Sequence, residues 1–214
     1  MDEKTSEINQ SRQFHEVTLR EFELTDVDDY FVWASDDRVS PWWRWDTFTN
    51  KEDVLAFMEK TVLPHPWMRA ICLDGRPVGA ISVTRRTAEH QCRAELGYVI
   101  ASQYWGRGIA TEAVNLVLGT IFGDMEGLER LEALVLVQNV RSQKVLEKAG
   151  FTKEGILKKY LIHKGKISDM TSSGIVFFCD LIYYYLDRLF EGIHELMPND
   201  EVFFNSKLRQ LDAQ

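Results

Sequence analysis

The chain has 214 residues, 45% of them hydrophobic and 27% charged, with a formal net charge of −8. That size supports one well-buried domain, and that composition excludes a chain disordered throughout. The negative balance argues against a bulk nucleic-acid binder, which needs a basic face to displace counterions; it suits a cationic partner such as an amine, or serves solubility alone.

Met1 to Phe14 is polar and of mixed charge. It lacks the apolar core of a signal peptide and the Arg-rich, acid-poor character of a transit peptide, so a disordered start is expected. Val17 to Phe22 alternates like a strand. Thr25-Asp26-Val27-Asp28 resembles a helix start, followed by a helix from about Asp26 to Ser35. Thr49-Asn50-Lys51-Glu52 fits a capping box, and Val54, Leu55, Phe57 and Met58 give the next helix an apolar face until Pro64 and Pro66 stop it. Met68 to Leu73 and Val78 to Thr84 flank Asp74-Gly75, a hairpin-turn signal. Ala94 to Ala101 reads as a strand. Ile109 to Phe122 reads as a helix with Ala113, Leu116, Val117 and Ile121 on one side.

Leu131 to Val137 reads as a buried strand and Val140 to Ala149 as a helix, with Gly150 at the expected left-handed C-terminal position. Phe151 onward is extended again, and Gly165 marks a last hairpin running to about Phe178. The pattern predicts a mixed α/β (α+β) fold: a mostly antiparallel sheet of about seven strands with helices inserted. The most apolar stretch, Ile175 to Leu186, contains Asp180 and is too short to span a bilayer, so no membrane association is expected. Cys72, Cys92 and Cys179 are far apart and form no C-x-x-C pair, and the five histidines are scattered. Neither a metal site nor a disulfide framework is expected, and a reducing compartment, the cytosol or the nucleus, is the simpler setting.

The most informative segment joins the fourth strand to the helix at Ile109. There Gln103-x-x-Gly106-x-Gly108 places two glycines where backbone N–H groups can turn inward with no Cβ in the way. With the positive end of the helix they make an anion site suited to a pyrophosphate; the plainer reading is a glycine turn capping a helix. A Walker loop is excluded because no Gly-Lys-Ser/Thr follows. Gln103-x-x-Gly106-x-Gly108-x-Ala110 resembles the pyrophosphate loop of the Gcn5-related N-acetyltransferase (GNAT) superfamily. The wider run resembles its ribosomal-protein N-terminal acetyltransferase branch, the RimJ/RimL type. So does Asn139-x-x-Ser142-x-x-Val145-Leu146-Glu147-Lys148-Ala149-Gly150-Phe151, followed by Glu154-Gly155; Gly165-Lys166-x-x-Asp169 resembles that branch's closing hairpin. The resemblance covers Val17 to Phe178. It implies an acetyltransferase domain over residues 15–178 between the disordered 1–14 and a C-terminal helical extension, 179–214.

The same resemblance implies a sheet with helices on both faces, splayed between its fourth and fifth strands, with acetyl-CoA in the wedge. Carried over, Tyr98, Val99 and Ile100 meet the pantetheine arm. Gln103, Trp105, Gly106, Arg107, Gly108, Ile109, Ala110 and Thr111 meet the pyrophosphate. Asn139 and Ser142 reach in from the far lip; as plain chemistry, Asn139 is a helix N-cap and Ser142 a residue of the first turn. Acetyl transfer needs a neutral amine. A lysine-type amine costs roughly 4 kcal/mol to deprotonate at pH 7.4, whereas an α-amine costs under about 1 kcal/mol. Glu95, eleven residues before Gly106, matches a strand glutamate that serves some relatives as base; a plain surface strand residue, a salt bridge to Arg93 or a nearby lysine, or deprotonation through water, are the alternatives. Many relatives place a proton-donating tyrosine seven residues after Asn139, where this chain has Leu146, while the Rim-type branch more often has a serine at the position of Ser142.

Trp42, Trp43 and Trp45 lie just before the second helix, where relatives build one wall of the acceptor pocket; aromatic faces there could hold a cation, or pack inward. The expected acceptor is a primary amine, with a protein or peptide α-amine favoured and a small amine open. The competing class is a coenzyme A-binding module without turnover, for which the absent tyrosine is the best argument. Beyond the family-like region, Ile182, Leu186, Leu189, Ile193 and Leu196 recur along one helical stripe. It either covers its own domain or pairs with a second copy in a homodimer.

Overall fold

A computed structural model of the chain describes residues 16–43 and 45–176. The expected start, the C-terminal stripe and the last strand residues, Phe177 and Phe178, lie outside the described residues. The elements run in the expected order. β1 is Val17–Arg20, α1 Val27–Ala34, α2 Lys51–Phe57, β2 Met68–Leu73, β3 Arg76–Arg85 and β4 Arg93–Ile100. Then come α3 Ile109–Leu118, α4 Ile121–Asp124, β5 Arg130–Leu136, α5 Val140–Lys148, β6 Thr152–His163 and β7 Lys166–Val176.

The seven strands form one sheet in the order β1-β2-β3-β4-β5-β7-β6. Every neighbouring pair is antiparallel except β4 and β5. Those two are in register only over Arg93↔Arg130, Ala94↔Leu131 and Glu95↔Glu132. Beyond Glu95, β4 continues to Ile100 paired with β3 alone, so the parallel strands part and open a wedge. One face of the sheet buries Leu131, Ala133 and Val135 with Ala113, Val117 and Leu146 from α3 and α5. The other buries Ala70, Ala80 and Val99 with Tyr30 and Trp33 of α1 and Val54 of α2. Each large apolar side chain contributes roughly 1.5–3 kcal/mol by leaving water, and this double cover fixes the sheet that carries the wedge.

Local chemistry explains most element ends. Asp74 (φ 50°) and Gly75 (φ 82°) are both left-handed, as a two-residue hairpin turn requires. Gly150 (φ 90°) closes α5, with the Phe151 N–H on the Leu146 carbonyl at 3.0 Å.

Several expectations need correction. The α2 cap is Asn50, whose side chain accepts from the Asp53 N–H at 2.8 Å, rather than a box closed by Glu52. Leu55 is exposed, because Val54 and Met58 form the buried side and Met58–Val62 widens into a π turn before Pro64. The long helix expected to Phe122 is two, broken at Gly119-Thr120. Leu116 faces solvent, since Ile109, Ala113, Val114 and Val117 set the buried stripe.

Candidate active site

At the wide end of the wedge, β4 runs into a single tight turn, Ser102–Tyr104, and then the glycine loop. Gly106 and Gly108 have φ of 77° and 84°, and a Cβ built on either would meet nothing within 4 Å. The open space lies in front of the backbone rather than inside the core. Gly108 is also the N-cap of α3, which has no side-chain cap, so the first-turn N–H groups of Ile109, Ala110 and Thr111 are left to an outside acceptor. A diphosphate fits this cradle by charge and by space. Gln103, Arg107 and both glycines are exposed, Ala110 and Thr111 half-buried. The side chains of Ile109, Val99 and Ile100 are buried, so these three can offer only backbone. Trp105 sits between the two cores and donates its indole N–H to the Ile100 carbonyl at 2.8 Å, pinning the loop to the end of β4.

The far lip is the first turn of α5. Asn139 is its N-cap and accepts the Ser142 N–H at 3.2 Å through Oδ1. That leaves Nδ2 as the Asn139 group able to reach outward. Ser142 and Tyr98 meet across the wedge, with their hydroxyl oxygens 2.7 Å apart, and Tyr98 also reaches the Ser142 carbonyl at 3.0 Å. Burial pushes the Tyr98 phenol above its usual value, with the Ser142 hydrogen bond working the other way. The Arg141 guanidinium lies 5.3 Å from the Trp105 ring, a second contact between loop and α5. Neither cross-wedge contact was legible in the sequence. Leu146 is fully buried beneath α5.

Glu95 and Glu132 face each other where β4 and β5 part. Two like charges directly opposite would repel. Arg86 relieves them, its Nη2 lying 2.6 Å from Glu95 and 3.5 Å from Glu132. Arg93 and Arg130 approach Glu132 at 3.6 Å each, and Arg130 also pairs with Glu154. Arg86 is thus a partner of Glu95 that the sequence reading did not name. Beside this network opens a cleft of about 600 Å³, lined by Arg86, Arg93, Arg130, Glu132 and Glu154 with Tyr160 of β6.

Trp42, Trp43 and Trp45 do not line that cleft. Trp43 packs on the α1/α2 core, while Trp42 and Trp45 are 41% and 46% exposed, Trp45 edge-on to Phe57. Their loop is tied to the β6–β7 turn. The Lys164 ammonium donates to the Trp45 carbonyl at 2.9 Å, and His163 Nε2 bonds the Pro41 carbonyl at 2.8 Å. Among the described residues no cluster of three His, Cys, Asp or Glu side chains is arranged for a metal, and no helix is long and apolar enough to cross a membrane.

A wedge between the one parallel pair among the described residues, with an uncapped glycine-led helix at its mouth, matches what comparison shows. The family described as Acetyltransferase (GNAT) domain matches residues 16–152. The chain belongs to the GNAT acetyltransferase family. The uncharacterized N-acetyltransferase YoaA of Bacillus subtilis is 28% identical over 164 residues, 74% of this chain and 92% of YoaA. A GNAT-family acetyltransferase from Bacillus anthracis superposes with a TM-score of 0.67 at 28% identity, covering 75% of this chain and 94% of that one. Mycobacterium smegmatis RimJ, solved with CoA-disulfide, gives 0.62 at 29% identity, covering 75% and 81%. The GNAT chain described here is thus an N-acetyltransferase, with RimJ among the proteins it is similar to.

Proposed function

We propose that this acetyltransferase moves the acetyl group of acetyl-CoA directly onto a primary α-amine, of a protein, a peptide or a small molecule. Residues 15–178 form the catalytic domain in this reading, followed by 179–214 as an extension. The observation that carries it is the parted β4–β5 pair, flanked by the Gly106–Thr111 cradle on one lip and Asn139–Ser142 on the other. Bound acetyl-CoA supplies the electrophilic thioester carbonyl. The chain's own residues do the rest: the α3 N–H groups hold the diphosphate, the free edge of β4 aligns the pantetheine, and Asn139 Nδ2 reaches the cofactor from α5.

The amine enters from the charged cleft, whose lining includes Glu132 and Arg86, the latter paired with Glu95. Its lining carries three guanidiniums, Arg86, Arg93 and Arg130, against two carboxylates, Glu132 and Glu154. That balance disfavours a polycation and suits an acceptor of low positive charge. Glu95 acts as base in this reading, directly or through water, and its tie to Arg86 suits an α-amine that needs little help to lose its proton. Competition between an unblocked peptide and spermidine at pH 7, read by mass spectrometry, tests the acceptor. The peptide N-terminus should be acetylated first; preferential acetylation of spermidine would overturn this choice. Leu146 in place of a tyrosine favours a second reading, a coenzyme A-binding module without turnover, and acetylation of neither amine would support it.

A further inference from the structure

Acetyl transfer has to return a proton to the departing sulfur, and the side chain that many relatives use for this is replaced by Leu146, which is buried beneath α5. Among the described residues a pair of hydroxyls meets across the wedge from its two lips: Tyr98 on β4 and Ser142 on α5, 2.7 Å apart. We propose that Tyr98 is the positioning residue of this acetyltransferase, fixing Ser142 so that the serine's own proton points at the sulfur. The inference rests on the proposed function and on Ser142 as proton donor, and it adds the residue that makes a serine suitable for that task.

Three observations support it. First, a serine hydroxyl rotates freely unless something holds it, and near a helix start its usual rest is a local backbone carbonyl. Here the Asn139 cap fixes the Ser142 backbone, and the Tyr98 oxygen lies 2.7 Å from Oγ and 3.0 Å from the Ser142 carbonyl, so the one phenol proton has both of these acceptors on the same residue. Second, the phenol is the more acidic hydroxyl and therefore the better donor. When it donates to Ser142 Oγ rather than to the Ser142 carbonyl, the serine proton is turned outward and is free for another acceptor. Third, burial keeps the Tyr98 phenol protonated, so it acts as a fixed donor and not as a charge that forms and vanishes with pH.

The balance of the step is then complete. The amine nitrogen bonds to the acetyl carbon and the carbon–sulfur bond breaks with its electron pair going to sulfur. Ser142 Oγ–H gives its proton to that sulfur. The serine oxygen, stabilised meanwhile by the Tyr98 hydroxyl, recovers a proton from the water or the carboxylate that received the amine proton. No oxidant or further reactant is needed.

The test is a double-substitution cycle with a ligand-free readout beside it. Ser142→Ala should lower kcat about 10²-fold, in the range for lost general acid catalysis. Tyr98→Phe should lower kcat roughly tenfold or more with the KM for acetyl-CoA within twofold. Tyr98→Phe should cost almost nothing further in the Ser142→Ala background, because its only route is through the serine. Ser142→Thr, which keeps the hydroxyl, should retain most of the rate and most of the sensitivity to Tyr98→Phe. In the free protein, 3-fluorotyrosine placed at position 98 gives one assigned fluorine signal in a near-isosteric side chain, and that signal should shift when Ser142 becomes Ala. Equal losses from Tyr98→Phe with and without Ser142, or an unmoved fluorine signal, would overturn the positioning role alone. An unchanged kcat in Ser142→Ala would remove the serine as donor and take the proposal with it, while amine-dependent turnover would leave the transferase reading in place.

Discussion

Gly108→Ala is the smallest change that separates the pyrophosphate cradle from the fold. Position 108 has φ 84° and ψ −10°, and the added Cβ meets no protein atom within 4 Å. Its cost to the folded state is therefore backbone strain alone, about 1–2 kcal/mol for a residue with a Cβ in the left-handed region. For a domain of this size that is a fall in Tm of about 2–8 °C, so the variant should remain folded. The methyl group, however, stands in the open space before the α3 N–H groups. A charge-assisted hydrogen bond is worth about 1.5–3 kcal/mol, and losing two removes roughly 3–6 kcal/mol. That corresponds to about 10²- to 10⁴-fold weaker binding. Calorimetry with coenzyme A should show this loss, whereas acetyl-pantetheine, which lacks the diphosphate, should bind the variant and the parent within a factor of two. Unchanged coenzyme A affinity in a folded Gly108→Ala protein would refute the cradle.

Other consequences are open to simple measurement. Glu95→Gln should slow α-amine acetylation more at pH 7 than at pH 9, by about sevenfold in the ratio, because the neutral fraction of an amine with pKa near 7.8 rises by about that factor; an equal loss at both values would mark Glu95 as only a partner for Arg86. Asp36, hydrogen-bonded by Arg38 and by Ser102 at the start of the glycine loop, is held at a pKa of about 2. Its folded value is depressed, so the stability it contributes is present above the unfolded pKa near 4 and is lost as pH falls through about 2. Asp36→Asn should lower Tm at pH 7 by about 2–4 °C, for a loss of about 1 kcal/mol once the exposure of Arg38 is allowed for, and the gap should close between pH 4 and pH 2. Gly79→Ala should be more damaging than Gly108→Ala, since its Cβ would fall 2.1 Å from the Val99 carbonyl oxygen and 3.1 Å from Ile100 Cα, forcing β3 away from the strand that carries the wedge. An overpacking cost of about 1–3 kcal/mol or more is expected, read as a lower Tm with weaker coenzyme A binding.

What the sequence disclosed was largely local. Turn chemistry placed Asp74-Gly75 and Gly150, and alternation placed the strands, because each signal acts within a few residues. The glycine loop was legible for the same reason. What escaped depends on partners distant in the chain. Arg86 reaches Glu95 and Glu132 only because β4 and β5 pair in parallel over three positions. Tyr98 meets Ser142 only because β4 and α5 form opposite lips, 44 residues apart in sequence. The tryptophan run before α2 carried composition but no direction, and the fold turns Trp43 inward and ties the rest to the β6–β7 turn. Leu116 shows the limit of a helical pattern, since Val114 and Val117 win the buried side and the helix stops at Gly119.

The central claim is transfer, not binding alone. Incubating the full chain with acetyl-CoA carrying an isotopically labelled acetyl group and an unblocked peptide tests it most directly, with thiol release and peptide mass followed together. The account predicts one thiol released per labelled acetyl found on the peptide N-terminus, and no release above the hydrolysis background when the amine is blocked. Tight coenzyme A binding with no labelled product from peptide, amino acid or polyamine would contradict it.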